Sequence, residues 1–164
     1  MAADLPVDHV KLAASLQAQI PACVAEASAT YAVPDLLLYA ILAQEGGSIG
    51  KGVRNSNGTL DLGPAQINSV HLPELANYGI SMSHLAWYPC VNIKTSAWIL
   101  RKNYITHKGN WFEAIRSYNI GTSRKSANRV RIGHNYATAV VKKWWGFYHK
   151  RVAALKLGAS PADS

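Results

Sequence analysis

Asp35-Leu-Leu-Leu-Tyr-Ala-Ile-Leu-Ala-Gln-Glu-Gly-Gly47, followed by Asn57-Gly-Thr-Leu-Asp-Leu-Gly-Pro-Ala-Gln-Ile-Asn68, is the stretch that decides how this chain folds. Pro34 suits the first turn of a helix, Asp35 complements the positive end of its dipole, and Gly46-Gly47 stops it. Leu37, Ile41 and Glu45 stand at i, i+4 and i+8, so one helical face carries two large apolar side chains and then a carboxylate. The second stretch changes character. It is rich in Gly and Asn, and Asn57-Gly58, flanked by Arg54-Asn55 and Thr59-Leu60, predicts a tight hairpin between short strands.

Outward from this pair the pattern is helical. Residues 10–26 predict helix interrupted at Pro21. Helices resume after Pro89, with Asn92 placed to cap a helix over 93–104. Asn110, with Glu113 three residues on, marks the start of a helix over 111–118 that Asn119-Ile-Gly121 ends. A last helix over 135–157 is indicated by Tyr136, Val140, Trp144 and Phe147, which recur every three or four residues. Residues 1–8 read as a frayed lead-in and 159–164 as a flexible tail, leaving one domain over 1–158. The expected class is α+β, mostly α, with one small β-hairpin.

At 164 residues with 49% hydrophobic and 16% charged side chains, the chain can bury a core and is not a disordered linker. Its longest apolar run, 36–43, is eight residues, far short of the roughly 20 a membrane span needs. No basic segment followed by an apolar stretch opens the chain, so the expectation is that any signal peptide is already absent from it. Residues 94–164 hold 14 of the 17 basic side chains and two of the nine acidic ones. Such a half fits an anionic partner (a wall polymer, a membrane surface or nucleic acid) as well as it fits a solvated surface. No nucleic-acid-binding motif accompanies the charge. Two cysteines, Cys23 and Cys90, allow either two buried thiols or one disulfide, the latter worth about 4 kcal/mol by chain entropy. The six histidines show no metal-ligand spacing. Of the five tryptophans, Trp98, Trp111 and Trp144 are expected in the core, while Trp87 and Trp145 are left open.

Chemistry concentrates on two carboxylates. Glu45, at the end of an apolar stripe and at the negative end of a helix, is desolvated and held protonated near neutral pH, as a general acid requires. The alternative is a glutamate that fans into solvent at a fraying helix end. Asp61 sits just past the hairpin turn, where a turn aspartate ordinarily bonds local amides. Folded back toward Glu45, it would complete the apolar-plus-polar carboxylate pair that cleaves glycosidic bonds.

Taken in order, Glu45, Asn57-Gly58, Asp61-Leu-Gly63-Pro-Ala-Gln66-Ile67-Asn68 and Tyr118-Asn119-Ile-Gly121 resemble the lysozyme-like lytic transglycosylases. The likeness is greatest to the small specialised members associated with bacterial secretion, conjugation and pilus systems. It spans about residues 20–145, and it includes an early Cys and a Pro-Cys ahead of Asn-Ile, here Cys23 and Pro89-Cys90-Val-Asn92-Ile93. Three positions depart from that pattern. Gly46 replaces a Ser after the glutamate, Pro64-Ala65 replaces a large apolar residue before the glutamine, and Ile120 stands where a small residue is usual.

The resemblance implies a lysozyme-like fold, a Cys23–Cys90 disulfide and an exported, periplasmic monomer. Peptidoglycan would be the substrate, no cofactor is needed, and docking to an envelope-spanning complex is expected. Glu45 would be the catalytic acid and later the base. Asp61 aligns with the second carboxylate of animal-type lysozymes. Gln66 and Asn68 would line the cleft and bind the glycan, Tyr118 and Asn119 would orient Glu45 and the N-acetyl sugar, and Tyr136 would be a cleft tyrosine. Competing readings are a hydrolytic muramidase using Asp61, a phage lysis enzyme of the same fold, and a non-catalytic glycan-binding assembly module.

Overall fold

The computed structural model describes residues 9–158, and the expected lead-in and tail lie outside the described residues. Among the described residues there are eight α-helices and one small sheet. Helices α1 (His9–Gln17) and α2 (Ile20–Tyr31) replace the single interrupted helix expected, with Pro21 in the first turn of α2, where its missing N–H costs nothing. Helix α3 (Asp35–Glu45) follows, with Pro34 one position before it at the N-cap. Leu37, Leu38, Ala40 and Ile41 are all inaccessible, so α3 is buried on more than the one face its stripe predicts. It runs through the main core with residues of α2, α6 and α8 around it.

Past α3 the chain forms β1 (Gly52–Arg54), β2 (Leu60–Leu62) and β3 (Ile67–Asn68). The expected hairpin is therefore two strands of a three-stranded antiparallel sheet in the order β1-β2-β3, with Asp61 opposite Val53 on one side and Asn68 on the other. The first turn is also one residue longer than a two-residue Asn-Gly turn. Asn55 N–H donates to the Thr59 carbonyl and Gly58 N–H to that of Asn55, leaving 56–58 as the loop with Gly58 at positive φ.

Two 3₁₀ turns and short helices α4 (Leu72–Leu75) and α5 (Met82–Trp87) lead to α6 (Pro89–Thr106), α7 (Trp111–Ile120) and α8 (Ala127–Gly158). Helix α8 starts well before the 135 expected. Asn110 caps α7 by accepting from Glu113 N–H, and Gly121 ends it. Asn92 is not a cap: Pro89 begins α6, which puts Asn92 inside the helix and wholly buried. Cys23 and Cys90 are disulfide-bonded with Cα atoms 4.6 Å apart, joining α2 to the first turn of α6. Trp111 and Trp144 pack against the main core, while Trp98 packs on a second cluster beneath the sheet built on Leu62, Ala65, Ile67, Leu75, Leu85 and Ile99.

Candidate active site

The end of α3 and the face of the sheet open on one cleft of about 930 Å³, lined among others by Glu45, Asp61, Gln66, Asn68, Tyr118 and Asn119. No tryptophan is among the lining residues.

Glu45 is the last residue of α3, and Gly46 takes the left-handed conformation (φ 60°) that terminates the helix directly behind it. This explains the departure at 46: the position favours glycine on backbone grounds. Burial pushes the Glu45 carboxyl up to about 7. The Tyr136 hydroxyl, which donates to Glu45 Oε1, works against that rise, and the nearby charge of Asp61 adds to it. A carboxyl near 7 is partly protonated at neutral pH and can both give and take a proton there.

Asp61 is held differently. Its Oδ1 accepts from Asn68 Nδ2 at 2.7 Å and its Oδ2 from Asn55 Nδ2 at 3.0 Å. Asn68 lies directly opposite Asp61 in the sheet, so the register itself brings the amide to the carboxylate. The same Asn68 amide nitrogen reaches Thr59 Oγ1 at 3.1 Å, and Asn68 Oδ1 accepts from Val70 N–H at 3.0 Å. Its amide is thus engaged within the sheet region, positioning Asp61. Asn55 completes this clamp and was missed in the sequence, although it sits at the base of the predicted turn.

The two tyrosines make different contacts. Tyr118 lines the cleft, but its hydroxyl donates to the Ala65 carbonyl at 2.8 Å and is hydrogen-bonded to Ser96 Oγ at 3.1 Å. The hydrogen bond to Glu45 comes from Tyr136, which is buried and is not among the lining residues. Burial, with the charge of Glu45 close by, pushes both phenols well above the ordinary tyrosine range, so both remain proton donors. Asn119 is exposed at the cleft wall beside Ile120, whose side chain is buried. Gln66, at φ 52°, closes the turn between β2 and β3 through both its backbone N–H and its Nε2 to the Gly63 carbonyl.

Asn92 supports this turn from below. Its Nδ2 donates to the Leu62 and Leu85 carbonyls at 2.8 and 2.9 Å, and its Oδ1 accepts from Ala65 N–H at 2.8 Å. A buried side-chain amide thereby hydrogen-bonds three backbone groups from three separate segments. Ala65 is itself inaccessible, so a larger side chain at that position has no room.

A chain whose helix-end glutamate shares a cleft with a clamped aspartate also matches a known family model. The transglycosylase SLT domain matches residues 22–139. The chain belongs to that family. Every lining residue named above falls within the matched SLT stretch. The chain is 38% identical to invasion protein IagB of Salmonella typhimurium over 132 residues, covering 78% of this chain and 76% of that protein. It is 36% identical over 124 residues to protein IpgF of Shigella flexneri, covering 74% and 78%. A shorter match, 38% over 84 residues, is to X polypeptide of Escherichia coli, covering 51% and 48%.

Proposed function

We propose that this SLT-family protein is a peptidoglycan lytic transglycosylase that cleaves the MurNAc-β-1,4-GlcNAc bond and leaves a 1,6-anhydromuramyl end. The observation that carries this reading is Glu45, half-buried, raised to about 7 and hydrogen-bonded by Tyr136 in a cleft it shares with Asp61. Protonated Glu45 gives its proton to the glycosidic oxygen as the bond from the muramyl C1 breaks. The positive charge that develops at C1 and the ring oxygen is stabilised by the Asp61 carboxylate, which Asn55 and Asn68 keep in place. The muramyl C6 hydroxyl then bonds to C1, and its proton passes to Glu45, which is restored for the next turnover. Water takes no part, and the sugar supplies its own nucleophile.

A hydrolytic outcome with the same two carboxylates is the second reading, favoured by the presence of Asp61 in the cleft. The disulfide supports an oxidising compartment, the periplasm of an envelope with a peptidoglycan layer. Similarity to a protein named for invasion supports local wall opening for an envelope-spanning machine. Mass spectrometry of fragments released from purified sacculi tests the reaction. Anhydro-ended muropeptides are expected. Reducing ends as the main product would make the protein a muramidase, and no release at all would make it a glycan-binding assembly module.

A further inference from the structure

The outer half of α8 has a surface that the cleft does not use. It lies beyond residue 139, where the SLT match ends. Phe147 against Tyr39 and Arg151 paired with Asp35 fix which side of this segment faces the domain. Along the flank of that side run Trp145, Tyr148, Val152 and Leu155, whose spacing of three, four and three residues forms one stripe, with Leu155 one turn beyond Arg151. Trp145 is 57% exposed, Tyr148 47% and Leu155 67%. The Trp145 ring meets Tyr148 edge-on and stacks on His149, so the aromatic rings cover one another rather than the core. Beside the stripe Lys142, His149 and Lys156 recur every seven residues, and residues 127–158 contain no acidic side chain.

Large apolar side chains left in water beside Lys142 and Lys156, on a helix with no acidic side chain of its own, call for an anionic counterpart. A second copy brings the same all-basic helix and is repelled. A partner helix seats best in a groove, whereas this surface is the convex outer side of one helix. A bilayer needs no groove. Exposed Trp and Tyr suit the headgroup region, lysines beside them attract anionic lipid, and a basic helix with one apolar stripe lies in the interface plane. We infer that the outer face of α8 over residues 142–156 is a docking surface for an anionic lipid bilayer. Trp145, Tyr148 and Leu155 enter the headgroup layer, and Lys142 and Lys156 meet lipid phosphates. The inference is independent of the reaction catalysed in the cleft.

The test is flotation of the whole protein with vesicles of phosphatidylcholine containing a quarter phosphatidylglycerol, and with phosphatidylcholine alone, at low and high salt. Wild type is expected to float with the anionic vesicles and to be released by salt. The double variant Trp145→Ala, Leu155→Ala should partition at least about tenfold less, from lost apolar burial. Lys142→Gln and Lys156→Gln should each weaken low-salt binding by about fivefold. All these positions are exposed and none lines the cleft, so melting temperature and glycan release should stay at wild-type level. Failure to float with anionic vesicles, equal flotation with neutral ones, or undiminished flotation of the double variant would each overturn the inference. Dimerisation in sedimentation velocity that the double variant abolishes would also overturn it, assigning the face to a second copy.

Discussion

Replacing Glu45 by Gln should change stability in a pH-dependent way whose sign follows from burial. The wild-type carboxyl moves from its ordinary 4.5 to about 7 on folding, because water is withdrawn from it. Between those values the folded protein holds a proton that the unfolded chain has lost, so unfolding free energy falls as pH rises. Below about pH 4 both states are protonated and the penalty is absent. Above about pH 8 it is complete. At about 1.36 kcal/mol per pH unit, the gap corresponds to about 3 kcal/mol. Gln keeps the volume and an oxygen that can accept from Tyr136, and it never ionises. Glu45→Gln should therefore match wild type near pH 4 and exceed it at pH 8 by up to about 3 kcal/mol, or about 6–12 °C in Tm for a chain of this size. Thermal melts of both proteins across that range measure the difference directly. A Gln variant that is less stable at pH 8, or a gap that does not grow with pH, would refute the claim that Glu45 is held uncharged by its surroundings. The same variant should lose at least about 100-fold in glycan cleavage, the cost of removing a general acid.

Asp61→Asn should reduce the cleavage rate severely while the residual product keeps its 1,6-anhydro end, and near-normal turnover would leave Asp61 a structural residue of the middle strand. Tyr136→Phe removes the one hydrogen bond that holds the Glu45 carboxyl down, so the alkaline limb of the pH–rate profile should move upward; a downward shift would contradict the geometry. Asn92→Leu removes the side-chain partner of one buried N–H and two buried carbonyls, and at about 1–3 kcal/mol for each group left unsatisfied it should be strongly destabilising, as denaturant titration would show. Reducing the Cys23–Cys90 bond should lower stability by about 4 kcal/mol, read as a drop in denaturation midpoint that Cys23→Ser, Cys90→Ser reproduces.

The parts of this molecule that were legible in its sequence are those decided within a few residues. The helix ending at Glu45, the Gly46 stop and the Asn110 cap are all local arrangements and stand where their residues indicate, and the Asn-Gly turn is present with one residue more than the pair alone predicts. The third strand was not legible, because Ile67–Asn68 is two residues long and exists only through its pairing with β2. The role of Asn92 was misread because an asparagine four residues into a helix looks like one that caps it. The signal that separates the two was present in Pro89, whose fixed φ marks the first helical position. Tyr136 is a harder case. It lies 91 residues from Glu45, and its reach to that carboxyl depends on how α8 packs on α3, which no spacing rule supplies.

What sets the catalytic pair is then a matter of backbone as much as of side chains. A Cβ at Gly47 would stand 2.1 Å from the Gly63 carbonyl oxygen, and one at Gly63 would stand 2.4 Å from that of Leu85 and 2.5 Å from Asn92 Nδ2. The segment after Glu45 thus lies flat against the turn after Asp61, and that turn lies flat against the amide of Asn92. Glu45 is fixed at the end of a buried helix, Asp61 in the middle strand of the sheet, and the two glycines let the helix end and the sheet meet without a side chain between them. The separation of the carboxylates is therefore held by main-chain contact, and their surroundings differ because each belongs to a different element. Helix α3 brings an apolar core up to Glu45, while the sheet brings Asn55 and Asn68 to Asp61. One close backbone approach places an acid that can remain protonated opposite a carboxylate that is clamped by amides, which is the division of labour that glycosidic bond cleavage needs.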